Sequence, residues 1–374
     1  MMVRPYLNLA KNVLVSNVKR VPFPYKLTYS LTNRCNYRCR TCNIWQRKPV
    51  NELSFMEINK FFERSNQFSW IHLTGGEIFL RPDLLDIVKV ILDQCSQLLL
   101  LNFPTNGFLT KTIVSTIEKI LTLKPPELFI TVSLDGEEKL NDDIRGVPGG
   151  WKRQIKTFQE LHGLPDVKSA LGLTLSPYNI DRFETAFQAA QKECPWLTYD
   201  DFHINVYHTS FYYGNTEHPL TPREEENILQ QINRYRRLRR LKFHPISYLE
   251  WSYLKKVETY LLTGLTPIPC HALRSSCFMD PSGNIFPCSM YERTIGNIRN
   301  HDYRLLSIWK SESAIQVQQE IENFHCPQCW TPCEAYQSIL GNLAPRIFKV
   351  RKRLPPNPIG QGPDRSCSKI IGNK

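Results

Sequence analysis

Six short runs rich in β-branched and aromatic residues recur in the first 210 residues of the chain, with amphipathic helix patterns between them. Strands that alternate with helices indicate βα units, which build a parallel sheet covered on both faces. Six units are fewer than the eight of a closed TIM barrel, so the sequence predicts an α/β fold, a partial (β/α)6 TIM-like barrel. The predicted strands lie at 27–31, 70–73, 98–103, 128–134, 170–175 and 202–207.

The predicted helices are marked by caps and by apolar residues at helical spacing. The first begins at a capping box, in which Ser54 is followed three residues later by Glu57. A longer and strongly polar helix begins at Thr221 and Pro222, runs to about residue 240 and is interpreted as a bridge between domains. The other predicted helices cover about 82–95, 110–122, 152–163 and 181–192.

The composition changes after Pro269, where cysteines and glycine turns replace the alternation of strands and helices. A change of this kind marks a domain boundary, which we place near residue 265. The predicted segments are an amino-terminal arm (1–25), the partial barrel (26–215), a helical bridge (216–265), a small cysteine-rich domain (266–340) and a basic tail (341–374).

The chain has twelve cysteines among 374 residues, but the sequence does not favour a disulfide framework. Such frameworks are typical of small secreted domains, and the chain shows no charged start, apolar core and cleavage site of a signal peptide. No apolar run approaches the roughly 20 residues that a membrane-spanning helix needs. We therefore expect a soluble protein in a reducing compartment, the cytoplasm.

The charge balance of 47 basic against 35 acidic residues gives a net charge of +12. A basic surplus can indicate nucleic-acid binding, but here the basic residues are spread along the chain and no nucleic-acid motif is present. The densest run lies in the tail at 346–353. Nucleic-acid binding is therefore not favoured, whereas an acidic substrate or peripheral contact with an anionic membrane would suit the same charge.

Cys35, Cys39 and Cys42 lie within eight residues directly after the first predicted strand, at its carboxyl end. Barrel enzymes carry their chemistry on loops at this end of the strands. A structural zinc site normally uses four ligands and a disulfide uses two, so three thiols suggest a metal centre with one open position. The alternative is a three-thiolate zinc site completed by His72 or another distant residue.

The spacing CxxxCxxC on a loop after strand one resembles the radical S-adenosylmethionine (SAM) superfamily. The resemblance implies that Cys35, Cys39 and Cys42 bind a four-iron, four-sulfur cluster, and that SAM fills the open iron position through its amino and carboxylate groups. It further implies a SAM site at the ends of strands two and four. The residues that match are Gly75, Gly76 and Glu77 for the SAM amine, Ser133 and Asp135 for the ribose, and Arg145 for the carboxylate.

The second half of the chain resembles the SPASM or Twitch extension of radical SAM enzymes. The matching order is C-x12-G-x4-C, then IGN, then a helix with IW, then CxxC, with "DPSGN" as a predicted hairpin turn. The resemblance implies auxiliary iron–sulfur binding beside the substrate. A structural zinc ribbon is the alternative for the same cysteines.

We predict one auxiliary four-iron cluster in this domain. Two fully ligated clusters need eight thiolates, and seven cysteines follow residue 265. A second cluster with an open iron stays as the alternative, and it would use Cys277, Cys333 and Cys367. The predicted ligands of the single cluster are Cys270, Cys288, Cys326 and Cys329.

The resemblance implies reductive cleavage of SAM to a 5′-deoxyadenosyl radical, which abstracts hydrogen from a substrate. About 25 residues precede the first strand, so a separate peptide-binding module is not expected and a small or carrier-linked substrate is favoured over a ribosomal peptide. Sulfatase-maturing members have an aspartate where this chain has Ser289, so the catalytic acid or base stays unknown. The expected partner is an electron donor such as flavodoxin or ferredoxin. The rival interpretation is a non-catalytic zinc or nucleic-acid-binding protein.

Overall fold

The structure is a computed structural model that describes residues 3–239 and 245–343. In these ranges all six predicted barrel strands form, and they pair in chain order as neighbouring parallel strands. This confirms the predicted parallel α/β architecture. The strands are β1 (Lys26–Ser30), β2 (Trp70–Thr74), β3 (Leu100–Thr105), β4 (Leu128–Ser133), β5 (Val167–Leu175) and β6 (Phe202–Val206).

The helices confirm most of the capping and periodicity signals. Ser54 and Glu57 form the predicted capping box, and so do Thr221 and Glu224 at the start of the polar helix. Three helices inside the predicted arm, barrel and bridge were not predicted individually, and they cover Val3–Val18, Glu138–Arg145 and Pro245–Thr263. The helices are α1 (Val3–Val18), α2 (Phe55–Arg64), α3 (Leu84–Gln94), α4 (Thr110–Thr122), α5 (Glu138–Arg145), α6 (Gly150–His162), α7 (Phe183–Glu193), α8 (Pro222–Leu238), α9 (Pro245–Thr263), α10 (Leu305–Trp309), α11 (Glu312–Glu322) and α12 (Pro332–Leu340).

The cysteine-rich part of the chain joins the barrel sheet. β7 (Ser276–Met279) pairs in parallel with β1, and β8 (Asn284–Phe286) and β9 (Gly296–Asn297) follow as antiparallel strands. The "DPSGN" turn is confirmed, because Gly283 takes φ 82° between β7 and β8. Within the described ranges the sheet is open, with the order β6-β5-β4-β3-β2-β1-β7-β8-β9.

The two faces of the barrel sheet differ in composition, as alternation along each strand requires. One face carries residues such as Leu27, Ile71 and Leu101, which are fully buried in one apolar core shared with the surrounding helices. The opposite face, which we call the inner face, is largely polar and retains accessible surface on several strands. The half-buried polar residues of the inner face include His72, Thr74, Asn102, Thr131, Ser133, Thr174, His203 and Asn205.

Helix α12 covers the amino end of the inner face. The ammonium group of Lys26, the first residue of β1, donates to Gln337 of α12 at 2.9 Å and lies 4.3 Å from the centre of the Trp70 ring. Tyr336 of α12 stacks on the same Trp70 ring. One end of the inner face is therefore closed by the cysteine-rich part of the chain.

Among the described residues, no helix has the length and apolarity needed to cross a membrane. Cys95 and Cys194, at the ends of α3 and α7, are buried in the core. The predictions made for Cys367 and for most of the basic tail fall outside the described residues.

Candidate metal centre and active site

The cysteine loop, residues 31–45, follows β1 directly and carries Cys35, Cys39 and Cys42 as free, half-buried thiols. Burial raises the pKa of Cys35 to about 11 and that of Cys42 to about 12. The bare thiols are therefore protonated at neutral pH, and a bound metal cation would be needed to stabilise them as thiolates.

The spacing of the thiols bears on which metal centre the loop could hold. Each of the three interacts electrostatically with at least one of the others. No set of three His, Cys, Asp or Glu side chains in 3–239 and 245–343 is arranged to hold a single metal ion. Iron–sulfur clusters are held by cysteine thiolates, and these three neighbouring thiols could supply three of the four ligands. His72, the fourth ligand in the zinc alternative, lies in the middle of β2 and contacts the Asn102 side chain.

The turn after β2 supports one side of the cysteine loop. The backbone amides of Gly76 and Glu77 donate to the carbonyls of Thr32 and Arg34, both at 2.8 Å. A Cβ on Gly75, which has φ +143°, would lie 2.4 Å from the Thr32 oxygen, and one on Gly76 would lie 2.2 Å from the Arg34 oxygen. Both glycines are thus required for packing against the loop. An amine ligand donates hydrogen bonds, so the groups of this turn that could bind it are its backbone carbonyls.

The Glu77 carboxylate is buried and faces the end of β3. It accepts hydrogen bonds from the Thr105 hydroxyl at 3.0 Å and from the backbone amide of Asn106 at 2.7 Å. Burial raises the pKa of Glu77 to about 7, although these donors and Arg145 favour the charged form. The carboxylate therefore links the turn after β2 to the turn after β3.

Asn106 is a site residue that sequence reasoning missed. Its side-chain amide donates to Asn36 at 2.7 Å and lies 4.0 Å from the sulfur of Cys35. Asn106 follows β3 in "PTNG", which is a common turn sequence. Its place at the carboxyl end of a barrel strand was the signal that could have found it.

The end of α5 supports the other side of the cysteine loop. The backbone amides of Arg38 and Arg40 donate to the carbonyls of Arg145 and Ile144, at 3.2 and 2.8 Å. Gly146 ends α5 in the left-handed conformation with φ 69°, and a Cβ there would lie 2.5 Å from the Arg38 oxygen. The helix end and the loop are therefore held together through the backbone.

Arg145 and Asp135 form a buried ion pair beside the cysteines. The Nη1 atom of Arg145 lies 2.5 Å from a carboxylate oxygen of Asp135, whose other oxygen accepts the amide of Thr174 at 3.0 Å. Burial lowers the pKa of Arg145, but Cys39 and Asp135 outweigh it, and the pKa rises above the usual value. The buried Nε atom of Arg145 has no hydrogen-bond partner among the described residues. The arginine therefore keeps a donor for a ligand carboxylate.

The structure brings the remaining predicted SAM-site residues to the same end of the sheet. Ser133 is the last residue of β4, is half-buried and lies on the inner face. Asp135 follows two residues later and holds Arg145. The glycine turn, Glu77, Ser133, Asp135 and Arg145 all lie at the carboxyl ends of the parallel strands, as predicted for a barrel site.

The four cysteines predicted to bind the auxiliary cluster lie near one another. The thiol of Cys288 interacts electrostatically with Cys329 and Cys270, and both Cys270 and Cys329 interact with Cys326. Burial is the main cause that raises the pKa of each of these thiols. The four predicted ligands are therefore brought near one another from three separate segments of the chain.

The surroundings of Cys277 and Cys333 differ from those of the four predicted ligands. Cys277 is fully buried on β7, opposite Leu27 of β1, and its thiol interacts with Glu334 and Arg20. Cys333 lies on α12 and interacts with Lys26 and Glu334. Neither thiol is among the interaction partners of the four predicted ligands.

Comparison with known families agrees with this arrangement. Residues 29–190 match the radical SAM superfamily and residues 270–334 match the SPASM iron–sulfur cluster-binding domain. The chain therefore carries a radical SAM domain followed by a carboxyl-terminal SPASM domain, and it is a radical SAM enzyme. The two domains imply a four-iron, four-sulfur cluster, SAM and auxiliary iron–sulfur clusters as cofactors.

Two curated relatives illustrate the range of the family. The chain is 23% identical over 344 residues to the AdoMet-dependent heme synthase of Oleidesulfovibrio alaskensis, a match that covers 87% of this chain and 83% of that protein. It is 27% identical over 160 residues to the antilisterial bacteriocin subtilosin biosynthesis protein AlbA of Bacillus subtilis. The AlbA match covers 41% of this chain and spans 34% of AlbA.

Solved structures share the fold. The enzyme anSMEcpe with bound AdoMet superposes with a TM-score of 0.56 at 14% identity, covering 78% of this chain and 83% of that one. Streptococcus suis SuiB bound to precursor peptide SuiA gives a TM-score of 0.55 at 17% identity, covering 84% and 70%. At these identities the likeness establishes the fold.

Proposed function

We propose that this enzyme reductively cleaves SAM and abstracts hydrogen from a small or carrier-linked substrate in an oxidoreductase-type reaction. The observation that carries the proposal is the cysteine loop, whose three thiols lie between the glycine turn after β2 and the end of α5. Arg145, at that helix end, keeps a buried donor beside the same thiols.

Cys35, Cys39 and Cys42 would hold the four-iron cluster. When bound and reduced, the cluster supplies one electron that breaks a carbon–sulfur bond of SAM, giving methionine and a 5′-deoxyadenosyl radical that abstracts hydrogen from the substrate. The chain fixes the loop through backbone hydrogen bonds on both sides. Rigid support of this kind keeps the ligands in place while the cofactor performs the difficult step.

The proposed SAM site uses groups whose chemistry matches the ligand. The Nε donor of Arg145 would bind the SAM carboxylate, because guanidinium and carboxylate match in charge and geometry. The carbonyls of the turn at Gly75 and Gly76 would accept from the amine, with Glu77 supporting the turn. The Ser133 hydroxyl and Asp135 would meet the ribose, Asp135 through lone pairs not used by Arg145 and Thr174.

The inner face is the proposed substrate surface, since it continues from the cysteine end of the sheet and retains accessible polar side chains. Its charges are largely compensated. Burial lowers the pKa of His72 to about 3, so this imidazole is neutral, and Lys26 interacts electrostatically with Glu334. His203 is paired with Glu250 at 2.6 Å. A substrate that forms hydrogen bonds, rather than one recognised mainly by charge, suits this surface.

The relatives support two substrate classes. A small substrate is supported by the heme synthase match, which covers most of both chains. A peptide is the second candidate, because SuiB shares the fold and binds a precursor peptide, and AlbA acts in bacteriocin biosynthesis. The open edge of the sheet would leave room for either.

We further propose one auxiliary four-iron cluster, bound by Cys270, Cys288, Cys326 and Cys329. Their mutual interactions, and the separate surroundings of Cys277 and Cys333, support this assignment over two clusters. A second cluster held by these thiols would supply a redox centre for an electron from the substrate, which supports an oxidoreductase-type reaction. The residue after Cys288 is Ser289, so a proton acceptor would have to come from elsewhere.

A reducing compartment, the cytoplasm, is part of the proposal. Every cysteine that the structure describes is a free thiol. Reduced thiols and reducible clusters both require such surroundings. An electron-donor protein such as flavodoxin or ferredoxin would supply the electron.

The direct test is anaerobic reconstitution with iron and sulfide, followed by incubation with SAM and dithionite. We expect 5′-deoxyadenosine and methionine in equal amounts. A colourless protein that binds zinc and forms neither product would refute the proposal.

A further inference from the structure

Helix α1 is held to the rest of the protein by one of its faces. Val13 and Ser16 on this face are buried, and Leu9 packs against the core. The side-chain amide of Asn17 donates to the carbonyl of Leu340 in α12 at 2.9 Å. Attachment of the helix to the protein therefore does not use the opposite face.

The opposite face of α1 exposes a row of aliphatic side chains. Leu7, Leu14 and Val18 are 64%, 71% and 82% exposed. Spacings of seven and four residues place them on one side of a helix, in a stripe about 16 Å long. Exposed apolar patches that are rimmed by polar residues mark sites of interaction with a partner or a membrane.

Cations border this stripe. Arg4 and Lys11 lie three residues before and four residues after Leu7, and Lys19 follows Val18; all three are exposed. They take part in no ion pair within residues 3–239 and 245–343.

Acidic residues are missing from the same part of the sequence, since residues 1–51 contain no aspartate or glutamate. Tyr6 of α1 donates to Glu127 at 3.2 Å, but Glu127 is paired with Lys168 at 2.6 Å. The exposed side of α1 is therefore both apolar and positively charged.

We propose that this side of α1 docks on the surface of an anionic phospholipid bilayer. The docking face, as we call it, consists of Leu7, Leu14 and Val18 with Arg4, Lys11 and Lys19. The aliphatic side chains would enter the boundary between headgroups and acyl chains, and the cations would meet lipid phosphates. The inference is independent of the reaction proposed above.

Other occupants fit the docking face less well. A second copy of the chain would bring the same cations together, and residues 344–374, with eight basic residues and one acidic residue, carry charge of the same sign. A nucleic acid would leave the aliphatic stripe in water. A protein partner would need anchor side chains and matching pockets, whereas a fluid bilayer needs only an amphipathic face.

The docking face and the cysteine loop lie at opposite ends of the barrel. Helix α1 contacts α12, which covers the amino end of the inner face, and Glu127, which precedes β4. The cysteine loop follows the carboxyl end of β1. A bilayer bound at α1 would thus leave the metal centre facing the water.

The first test measures binding of the full-length protein to vesicles by sedimentation. We expect vesicles with about equal phosphatidylglycerol and phosphatidylcholine to bind at least about tenfold more tightly than pure phosphatidylcholine vesicles, and salt to weaken the difference. The variants Arg4→Gln, Lys11→Gln, Lys19→Gln and Leu7→Gln, Leu14→Gln, Val18→Gln should each bind the anionic vesicles at least about tenfold more weakly. Glutamine is a good helix former, so α1 should stay folded.

Matched controls make the same changes on other surfaces. Met56, Leu262 and Ile315 are exposed aliphatic residues, and Lys111, Lys119 and Lys192 are exposed lysines. Replacing either set by glutamine should change vesicle binding less than about twofold. Equal losses in test and control variants would overturn the proposal, and so would vesicle binding that survives in both α1 variants.

The second test does not depend on a loss of binding. Leu14→Trp keeps the face apolar, and with vesicles containing brominated lipid its tryptophan fluorescence should be quenched more than that of the wild type. Ile315→Trp is the control and should show no added quenching. No added quenching at residue 14 would contradict insertion of this face. A dimer that Leu7→Gln, Leu14→Gln, Val18→Gln dissociates, without vesicle binding by the wild type, would assign the face to a second copy instead.

SAM cleavage with dithionite separates this inference from the proposed function. Both α1 variants should form 5′-deoxyadenosine at the wild-type rate, because the docking face lies apart from the metal centre. Failure of the wild type to cleave SAM would count against the proposed function alone. Failure of the wild type to bind anionic vesicles would overturn the docking proposal alone.

Discussion

The cysteine loop and the carboxyl-terminal cysteine set are built in different ways. The loop supplies three thiols from eight consecutive residues, keeps them half-buried and surrounds them with exposed cations. The carboxyl-terminal set draws four thiols from three segments, buries Cys288 and Cys329, and lies near the carboxylate of Glu334. The loop is suited to exchange a ligand and receive an electron, whereas the other set is suited to enclose a centre completely.

The largest expected effect comes from removing the loop thiols. The triple variant Cys35→Ala, Cys39→Ala and Cys42→Ala should form no detectable 5′-deoxyadenosine with dithionite, because the open iron site is lost. It should keep about four of the roughly eight irons of the wild type, since the auxiliary ligands are untouched. Iron analysis and chromatography measure both quantities.

The buried thiols of α3 and α7 provide the control for this variant. Cys95→Ala and Cys194→Ala remove core thiols, so iron content and SAM cleavage should stay near the wild-type values. Deoxyadenosine formation by the triple loop variant would contradict the assignment of the loop as the SAM-cleaving centre.

The second prediction removes the auxiliary centre. Cys270→Ala combined with Cys329→Ala should release about four irons, while SAM cleavage with dithionite continues. Cys277→Ala combined with Cys333→Ala should release none, because these thiols lie apart from the four ligands. A wild-type content close to twelve irons per chain, with about four lost when Cys277 and Cys333 are replaced, would establish two auxiliary clusters.

The third prediction concerns the arginine beside the loop. Arg145→Lys keeps the charge near Asp135 but loses the Nε donor, so the Kd for SAM should rise about tenfold. Arg153→Lys, on the exposed face of α6, should leave the Kd unchanged. Equilibrium dialysis gives both values, and equal affinities would assign Arg145 a purely structural role.

The smallest expected effect tests how the two regions are joined. Arg299, in the cysteine-rich part of the chain, donates to Glu57 of α2 at 2.6 Å and lowers the pKa of Glu57 to about 2. Because the folded pKa lies below the unfolded one, the pair stabilises the protein above about pH 4.5 and loses this contribution as the pH falls toward 2.

Both side chains of the pair are partly exposed, which limits the contribution of the pair to stability. Glu57→Gln should therefore lower the free energy of unfolding by about 1 kcal/mol at pH 7. Glutamine keeps the capping box, and Glu63→Gln on the same helix is the control. Urea unfolding and a double-mutant cycle with Arg299→Gln measure the coupling. Zero coupling would show that this contact does not join the two regions.

The barrel could be predicted from the sequence because its signals are local. Strands alternate with capped amphipathic helices, and each signal is contained within a short window of the chain. The pairing of β7 with β1 could not be predicted, because it joins residues more than two hundred positions apart and no local pattern encodes it. Helix α5 was missed since it is short, polar and ended by Gly146.

In the candidate site too, features encoded in one short stretch could be predicted, whereas contacts between distant segments could not. The cysteine spacing predicted a metal-binding loop, since all three candidate ligands lie in one stretch of the chain. The ion pair of Arg145 with Asp135 and the contact of Asn106 with Cys35 depend on how separate strand ends meet, which the sequence does not specify. The glycines of the turn were predicted for contact with SAM, and the structure shows in addition that they pack against the loop.

The most direct test of the central claim is electron–nuclear double resonance on the reduced enzyme with SAM labelled by oxygen-17 in its carboxylate. We predict an oxygen-17 coupling to the cluster in the wild type and in the Cys270→Ala, Cys329→Ala variant. The coupling should be absent when Cys35, Cys39 and Cys42 are replaced. A coupling that survives the loss of the loop cysteines, or that is absent from the wild type, would contradict the assignment of this loop as the SAM-binding metal centre.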